Sequence, residues 1–206
     1  MIGYYNYTVI LTYLGTVSGF TGITYIWRGN VKASLICLML AGFCDMFDGK
    51  VASTMKRTRQ EKRFGVQIDS LSDLICFGVL PALIIWYCAG EKLIPTIIAA
   101  TYVLCALIRL AWFNVDEEER QSQEEGSRET YLGLPVTTAA LIFPFVMGSM
   151  MCLHMKANSS LSWVGFGVAI AFLTPFKIKK PGNIGKMIMV IIGALTLALV
   201  MLGGKL

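Results

Sequence analysis

Apolar residues fall into seven long stretches along the chain, with short polar connections between them. The stretches cover residues 8–27, 33–55, 66–89, 93–114, 132–154, 160–176 and 184–203. A transmembrane helix needs about 20 mostly apolar residues, and only the sixth stretch falls clearly short of this length. The pattern predicts a single all-α membrane domain over residues 1–206, built as a polytopic bundle of six to seven transmembrane helices.

The composition agrees with a membrane location. Hydrophobic residues make up 55% of the chain, charged residues make up 15%, and the mean hydropathy is +0.63. Soluble proteins carry about 25% charged residues, so an ordinary soluble enzyme and a disordered chain are both excluded. The six cysteines all lie in apolar stretches without a C-x-x-C pair. This placement predicts buried thiols rather than disulfides or zinc ligands.

The basic residues are unequally shared between the two ends of the predicted helices. The net charge is +5, and eleven Lys and Arg residues lie in the connections 56–65, 115–131 and 177–186, against five on the opposite side. Because basic loops stay on the cytoplasmic side, these connections and the amino terminus are predicted to face the cytoplasm of a multi-pass cell-membrane protein. Charges spread over short loops do not indicate a nucleic-acid partner.

Four of the thirteen acidic residues lie inside predicted membrane helices, whereas seven form a charged run in residues 116–129 that is typical of a solvated loop. A carboxylate in the bilayer costs about 2.5–3.5 kcal/mol. Asp45 and Asp48 share one helix face, and so do Asp69 and Asp73 on the next helix. The two helices are antiparallel neighbours. The four carboxylates are therefore expected to converge at one depth, in a cavity open to the cytoplasm.

A set of four carboxylates favours hard divalent cations. Oxygen ligands suit Mg²⁺, Mn²⁺ or Ca²⁺ rather than zinc, and four carboxylates are enough for two ions. Paired ions promote phosphoryl and nucleotidyl displacement. Interhelical pairing of the acids with Lys50 and Arg109 is the alternative, but two basic residues cannot neutralise four acids. The sequence therefore predicts a two-metal site with Mg²⁺ or Mn²⁺.

Small residues accompany the aspartates and complete a motif. The spacing is Asp45-x2-Asp48-Gly49-x2-Ala52-Ser53-x11-Gly65-x3-Asp69-x3-Asp73. Glycine and alanine at these positions would let a flat ligand or a phosphate approach the backbone. The motif resembles the signature of the CDP-alcohol phosphotransferases, D-x2-D-G-x2-A-R-x8/9-G-x3-D-x3-D. This resemblance implies the membrane fold of that family.

The chain departs from the signature in two ways. Ser53 stands where the signature has Arg, and the interval before Gly65 is two or three residues longer. The longer interval suggests an extra helical turn on the second span. The basic residues Lys56, Arg57 and Arg59 are then the candidates to replace the missing guanidinium.

The resemblance implies a reaction in which CDP-diacylglycerol gives its phosphatidyl group to an alcohol and releases CMP. On this basis Asp45, Asp48 and Asp69 are the main metal ligands. Asp73 is expected nearest the open face, where it completes the second ion and takes the proton from the attacking hydroxyl. The nucleotide and lipid are expected to bind near the small or polar residues Gly49, Ala52, Ser53, Gly65 and Thr12. Packing is the alternative role for Thr12.

Further stretches resemble the phosphatidylserine synthase branch of the same family. They are residues 68–78, 109–114, 133–135 and 176–181. This closer resemblance implies L-serine as the acceptor, and the family often forms homodimers. Arg109, Lys50 and Asn114 are candidates to bind the acceptor or a phosphate, because a guanidinium inside a membrane favours an anionic partner. Snorkelling of Arg109 towards the interface is the alternative.

Two other functions fit parts of the pattern. The same fold could use glycerol 3-phosphate or inositol phosphate as the acceptor. A divalent-cation transporter could use the four aspartates for conduction, but it would need acids distributed across the membrane depth. The last three predicted spans contain no acid, which disfavours transport.

Overall fold

A computed structural model describes residues 3–123, 130–155, 160–179 and 182–203. These residues form a helical bundle. Its helices are α1 (Ile10–Trp27), α2 (Val31–Ala52), α3 (Arg59–Asp73), α4 (Leu80–Cys88), α5 (Leu93–Gln123), α6 (Ala139–Cys152), α7 (Ser160–Leu173) and α8 (Asn183–Leu202). Short 3₁₀ turns at Tyr7–Val9 and Val136–Thr138 lead into α1 and α6, and a π-helical segment at Leu74–Val79 joins α3 to α4.

The helices confirm the predicted all-α membrane protein. Four are long and apolar enough to cross a membrane within the described ranges: Tyr7–Trp27, Arg59–Cys88, Leu93–Arg120 and Ile184–Leu202. Two shorter apolar helices, Val136–Cys152 and Ser160–Leu173, accompany them. Large apolar side chains such as Leu14, Phe20 and Leu195 are more than half exposed on the outer surface. Such a surface suits contact with lipid, so the protein is membrane-embedded.

The connection between α2 and α3 differs from the prediction. α2 ends at Ala52 and gains no extra turn, and α3 begins at Arg59 rather than at residue 66. Thr58 starts α3 through a capping box, in which its hydroxyl accepts a hydrogen bond from the Glu61 amide and the Glu61 carboxylate accepts one from the Thr58 amide. The charged first turns of α3 carry no apolar signal, so the hydrophobic pattern predicts a loop there.

A second difference concerns the two cytoplasmic connections predicted at 115–131 and 177–186. α5 continues to Gln123, and the strands β1 (Thr130–Leu132) and β2 (Lys177–Lys179) pair as an antiparallel sheet, with Tyr131 opposite Ile178. These six residues are too few to give a strand pattern in the sequence. Glu124, Glu125 and Glu129 of the acidic run, and Lys180 of the second connection, lie outside the described residues.

Gly133 follows β1 and fixes the two-stranded sheet against the bundle. Its φ of +74° is in the left-handed region, and its amide donates to the Phe176 carbonyl oxygen over 2.7 Å. A Cβ at this position would lie 3.0 Å from the Phe172 carbonyl oxygen and 3.4 Å from Nε of Arg109. Only glycine allows this close approach, which brings the two-stranded sheet next to Arg109.

The core lies where α5, α6, α7 and the π-helical segment meet. Tyr102 is fully buried, with its ring 5.6 Å from that of Phe143 and 5.3 Å from that of Phe172. Its hydroxyl donates to the Phe77 carbonyl oxygen over 3.0 Å. This bond satisfies a backbone oxygen inside the π-helical turn and anchors the segment that directly follows Asp73.

Candidate active site

The four aspartates meet where the second half of α2 lies beside the end of α3. Oxygens of Asp45, Asp48 and Asp69 lie within 4.8 Å of one another. Asp48 is within hydrogen-bonding reach of Asp69, and Asp45 is within reach of Asp73. The two helices run in opposite directions, so the first aspartate of one faces the last aspartate of the other. The spacing in the sequence thus produces two facing carboxylate pairs.

Asp73 occupies a different depth from the predicted one. Asp73 and Asp48 are both buried, with 8% and 9% of each residue exposed. α3 enters the bundle from the connection 53–58, so a residue one turn beyond Asp69 lies one turn deeper. Asp73 therefore lies at the inner end of the cluster beside Asp45, and it is not the residue nearest the open face.

The donor set fits divalent cations. Four carboxylates in contact repel one another unless a cation or a proton lies between them. Within the described residues, no Lys or Arg forms an ion pair with any of the four. Asp45, Asp48 and Asp69 would hold such an ion through oxygen ligands, which are the ligands that Mg²⁺, Mn²⁺ and Ca²⁺ prefer.

Residues of helix α1 form hydrogen bonds with the cluster and with its neighbour Ser72. The Thr12 hydroxyl donates to Oδ2 of Asp48 over 3.3 Å, and the Thr16 hydroxyl donates to the Ser72 hydroxyl over 2.7 Å. The Ser72 hydroxyl in turn points to the Thr12 carbonyl oxygen at 3.4 Å. Ser72 directly precedes Asp73. Thr12 therefore bonds directly to an acid on α2, and Ser72 ties α1 to the end of α3 that carries Asp73.

A cavity of about 980 Å³ lies in front of the cluster. All four aspartates line it, together with three basic residues, Lys50, Arg109 and Lys186. The polar end combines these charges with Gly49, where a Cβ would meet nothing within 4 Å. Open space beside that backbone leaves room for a substrate group.

The other end of the cavity is apolar. Side chains of α2, α6 and α8 line it, among them Leu40, Phe43, Leu141, Val190 and Leu197. Leu40 and Phe43 are 53% and 55% exposed, so this wall is open towards the surface that faces lipid. A cavity with a charged end and an apolar side suits an amphipathic molecule whose head group is anionic.

Arg109 lies on α5 and reaches the charged end of the cavity. It is buried, with 5% exposed, and its guanidinium carbon lies 5.6 Å from the ring centres of both Trp112 and Phe113. These rings hold the guanidinium in place by cation–π contact. Because the Arg109 side chain is buried at the cavity, it does not extend to the membrane interface as the snorkelling alternative predicted.

The remaining predicted site residues lie around the cavity. Asn114 accepts a 2.7 Å hydrogen bond from the Ser70 hydroxyl, which ties α5 to α3. Ser53 caps the end of α2 and donates to the Lys50 carbonyl oxygen over 2.7 Å. Ala52 ends α2, and Gly65 lies on α3 one turn before Asp69. None of these four is among the described residues that line the cavity.

Sequence reasoning missed three polar residues of the cavity wall. Lys186 belongs to the first turn of α8 rather than to a loop, and Thr137 and Thr138 lie in the 3₁₀ turn before α6. Their only signal was proximity to two stretches already noted, 133–135 and 176–181. The pairing of β1 with β2 brings those stretches together, and a linear motif does not show that contact.

Comparison with known proteins supports one family. A family model described as CDP-alcohol phosphatidyltransferase matches residues 5–202. The chain is 28% identical over 177 residues to the archaetidylserine synthase of Methanothermobacter thermautotrophicus, with 85% of this chain and 70% of that protein covered. It is 26% identical over 179 residues to the CDP-diacylglycerol–serine O-phosphatidyltransferase of Bacillus subtilis, with 85% and 90% covered.

A mycobacterial relative is longer. The CDP-diacylglycerol–serine O-phosphatidyltransferase of Mycobacterium bovis is 29% identical over 132 residues, which cover 64% of this chain and 45% of that protein. The chain thus spans less than half of this relative, whereas it spans most of the Bacillus protein.

Proposed function

The chain belongs to the CDP-alcohol phosphatidyltransferase family, and we propose that it transfers the phosphatidyl group of CDP-diacylglycerol to L-serine, giving phosphatidylserine and CMP. Members of this family depend on divalent metals in general. The observation that carries the proposal is the pairing of four aspartates at the charged end of a cavity whose other side is apolar and open to lipid. A nucleotide-activated lipid has the same division between a charged head and apolar tails.

The side chains of the site suit a single displacement. The serine hydroxyl oxygen attacks the phosphorus that carries diacylglycerol, and the bond from that phosphorus to the CMP oxygen breaks. Asp73 lies at the inner end of the cluster and accepts the hydroxyl proton. Two bound divalent ions would neutralise charge on the pyrophosphate and on the leaving CMP. Asp45, Asp48 and Asp69 are the proposed ligands, and Mg²⁺ or Mn²⁺ are the proposed ions.

The charges of the cavity support serine as the acceptor. Serine brings a single carboxylate, whereas glycerol 3-phosphate or inositol phosphate brings a dianionic phosphate. Three basic residues line the cavity in the described chain, Lys50, Arg109 and Lys186. An acceptor with a dianionic phosphate would call for further converging cations. The archaeal and bacterial relatives are both named for products or acceptors that contain serine.

Three further features belong to the proposal. The active site faces the cytoplasm, because the connection 53–58 beside the aspartates carries part of the basic excess. The membrane is the cell membrane. The chain acts as a homodimer, as the family resemblance implies.

The direct test measures CMP release by purified protein in lipid nanodiscs with CDP-diacylglycerol and Mg²⁺ or Mn²⁺. L-serine, glycerol 3-phosphate and inositol phosphate are supplied separately. We expect phosphatidylserine from L-serine, little product from the two phosphates, and no release in EDTA. Equal or faster CMP release with glycerol 3-phosphate would overturn the serine assignment.

A further inference from the structure

Arg57 lies in the connection between α2 and α3 and rests on the backbone of Gly65. Its Nη1 is 3.1 Å from the point where a Cβ of Gly65 would be. Any larger side chain at position 65 would crowd the guanidinium. The glycine of the motif therefore provides, in this chain, the space that an arginine side chain occupies.

One N–H donor of the Arg57 guanidinium is not used by the described residues. Nε of Arg57 is buried and has no hydrogen-bond partner among the described residues. Buried donors in native proteins are nearly always paired, so an unpaired arginine N–H beside the motif glycine indicates a group that arrives with a ligand. Planar guanidinium donors match phosphate oxygens particularly well.

Glu61 is the acid whose charge lies near Arg57, but its oxygens already accept other hydrogen bonds. Oε2 accepts from the Thr58 amide and hydroxyl, both over 2.8 Å, and Oε1 accepts from the Asn6 side chain over 3.2 Å. These bonds fix the backbone next to Arg57. They hold the start of α3 in place, while the Nε of Arg57 is left for another acceptor.

The position of Arg57 relative to the aspartates indicates which part of the substrate it can reach. Gly65 precedes Asp69 by four residues of α3, or about 6 Å along the helix axis. Arg57 thus lies one turn above the carboxylate cluster, on the side of the connection 53–58. Ser53, where the family signature has arginine, is exposed and bonded to the backbone of its own helix. Position 53 supplies no cation here.

We propose that Arg57 binds a phosphate oxygen of the CDP moiety and so supplies the positive charge that position 53 lacks. The proposal rests on the proposed function for the identity of the nucleotide. It assigns the binding to Arg57 rather than to its neighbours Lys56 and Arg59, which are both exposed.

The experiment compares Arg57→Gln and Arg57→Lys with Lys56→Gln and Arg59→Gln as matched controls. Each purified variant is titrated with CDP in the presence of Mg²⁺, and its KM values for CDP-diacylglycerol and serine are measured separately. We expect Arg57→Gln to weaken CDP binding and raise KM for CDP-diacylglycerol about 10-fold or more, with kcat and KM for serine changed far less. Arg57→Lys should recover part of the loss, and both controls should behave like the parent.

A parent-like affinity of Arg57→Gln for CDP, or equal losses in the controls, would overturn the assignment. Thermal unfolding of each variant identifies a folding defect, and Arg57→Lys retains the charge if Arg57→Gln fails to fold. CDP binding does not depend on the acceptor. A parent that binds CDP through Arg57 but makes no phosphatidylserine would therefore contradict the proposed function while supporting the role of Arg57.

Discussion

The hydroxyl of Thr12 on α1 donates a hydrogen bond to Oδ2 of Asp48 on α2, with 3.3 Å between the two oxygens. Thr12 is itself buried, so the bond holds one carboxylate oxygen of Asp48 against α1. Partners that orient a metal ligand in this way strengthen metal binding.

Replacing Thr12 by valine keeps the shape of the side chain and removes this donor. We expect Thr12→Val to raise the Mg²⁺ concentration needed for half-maximal CMP release about 10-fold, because Asp48 loses its fixed orientation. Thr21→Val is the control, since the Thr21 hydroxyl bonds only to the Val17 carbonyl oxygen of its own helix. An unchanged Mg²⁺ requirement in Thr12→Val would show that the bond does not tune the site.

Removing one charge from the aspartate cluster should lower activity but raise thermal stability. Asp48→Asn and Asp69→Asn are expected to abolish turnover and weaken divalent-ion binding. In EDTA they should raise Tm, because fewer like charges then repel one another in the bundle. Glu118→Gln, at an exposed carboxylate paired with Arg63, should leave metal binding and Tm unchanged. Parent-like metal affinity in both aspartate variants would rule out the metal site.

Arg109→Lys tests recognition of the acceptor. The substitution keeps the charge but loses the planar fork and its stacking on Trp112 and Phe113. We expect KM for serine to rise about 10-fold or more, with KM for CDP-diacylglycerol little changed. Arg120→Lys on the same helix, where Arg120 pairs with Glu117, is the control. A rise confined to KM for CDP-diacylglycerol would instead assign Arg109 to the donor substrate.

Gly193→Leu tests the apolar wall of the cavity. Gly193 lines the cavity on α8, and a Cβ there has ordinary contact with Leu141 at 3.8 Å. A leucine side chain should narrow the space, so long-chain CDP-diacylglycerol should lose efficiency relative to a short-chain analogue. Leu195→Phe, on the exposed face of the same helix, is the control. The same chain-length preference in Gly193→Leu and the parent would place the acyl chains elsewhere.

Gly133→Ala should destabilise the β1–β2 sheet beside Arg109. A Cβ would be forced into a left-handed backbone and against two carbonyl oxygens. The expected loss in free energy of unfolding is about 1–3 kcal/mol, measured as a lower Tm in detergent. Gly167→Ala, where a Cβ meets nothing within 4 Å, should leave Tm close to that of the parent. Equal Tm values for both variants would contradict this account.

The sequence by itself determined the membrane class, the all-α fold and the helix faces that carry the aspartates. Helical spacing puts Asp45 with Asp48, and Asp69 with Asp73, on single faces, and a short connection makes the two helices antiparallel neighbours. These are local properties, because periodicity and connection length depend on residues close together in the chain. The motif that carries the family resemblance is local for the same reason.

Only the tertiary structure decided which distant groups join the aspartates. Lys186 and Thr137 reach the cavity because strands β1 and β2 pair and draw two separate connections together. Likewise, the sequence offers Lys56, Arg57 and Arg59 as replacements for the guanidinium missing at position 53, and the folded chain places Arg57 against Gly65. Asp73 lies at the inner end of the cluster because it is one helical turn beyond Asp69 on α3. Contacts between residues far apart in the chain depend on how the helices pack, and no linear spacing contains that information.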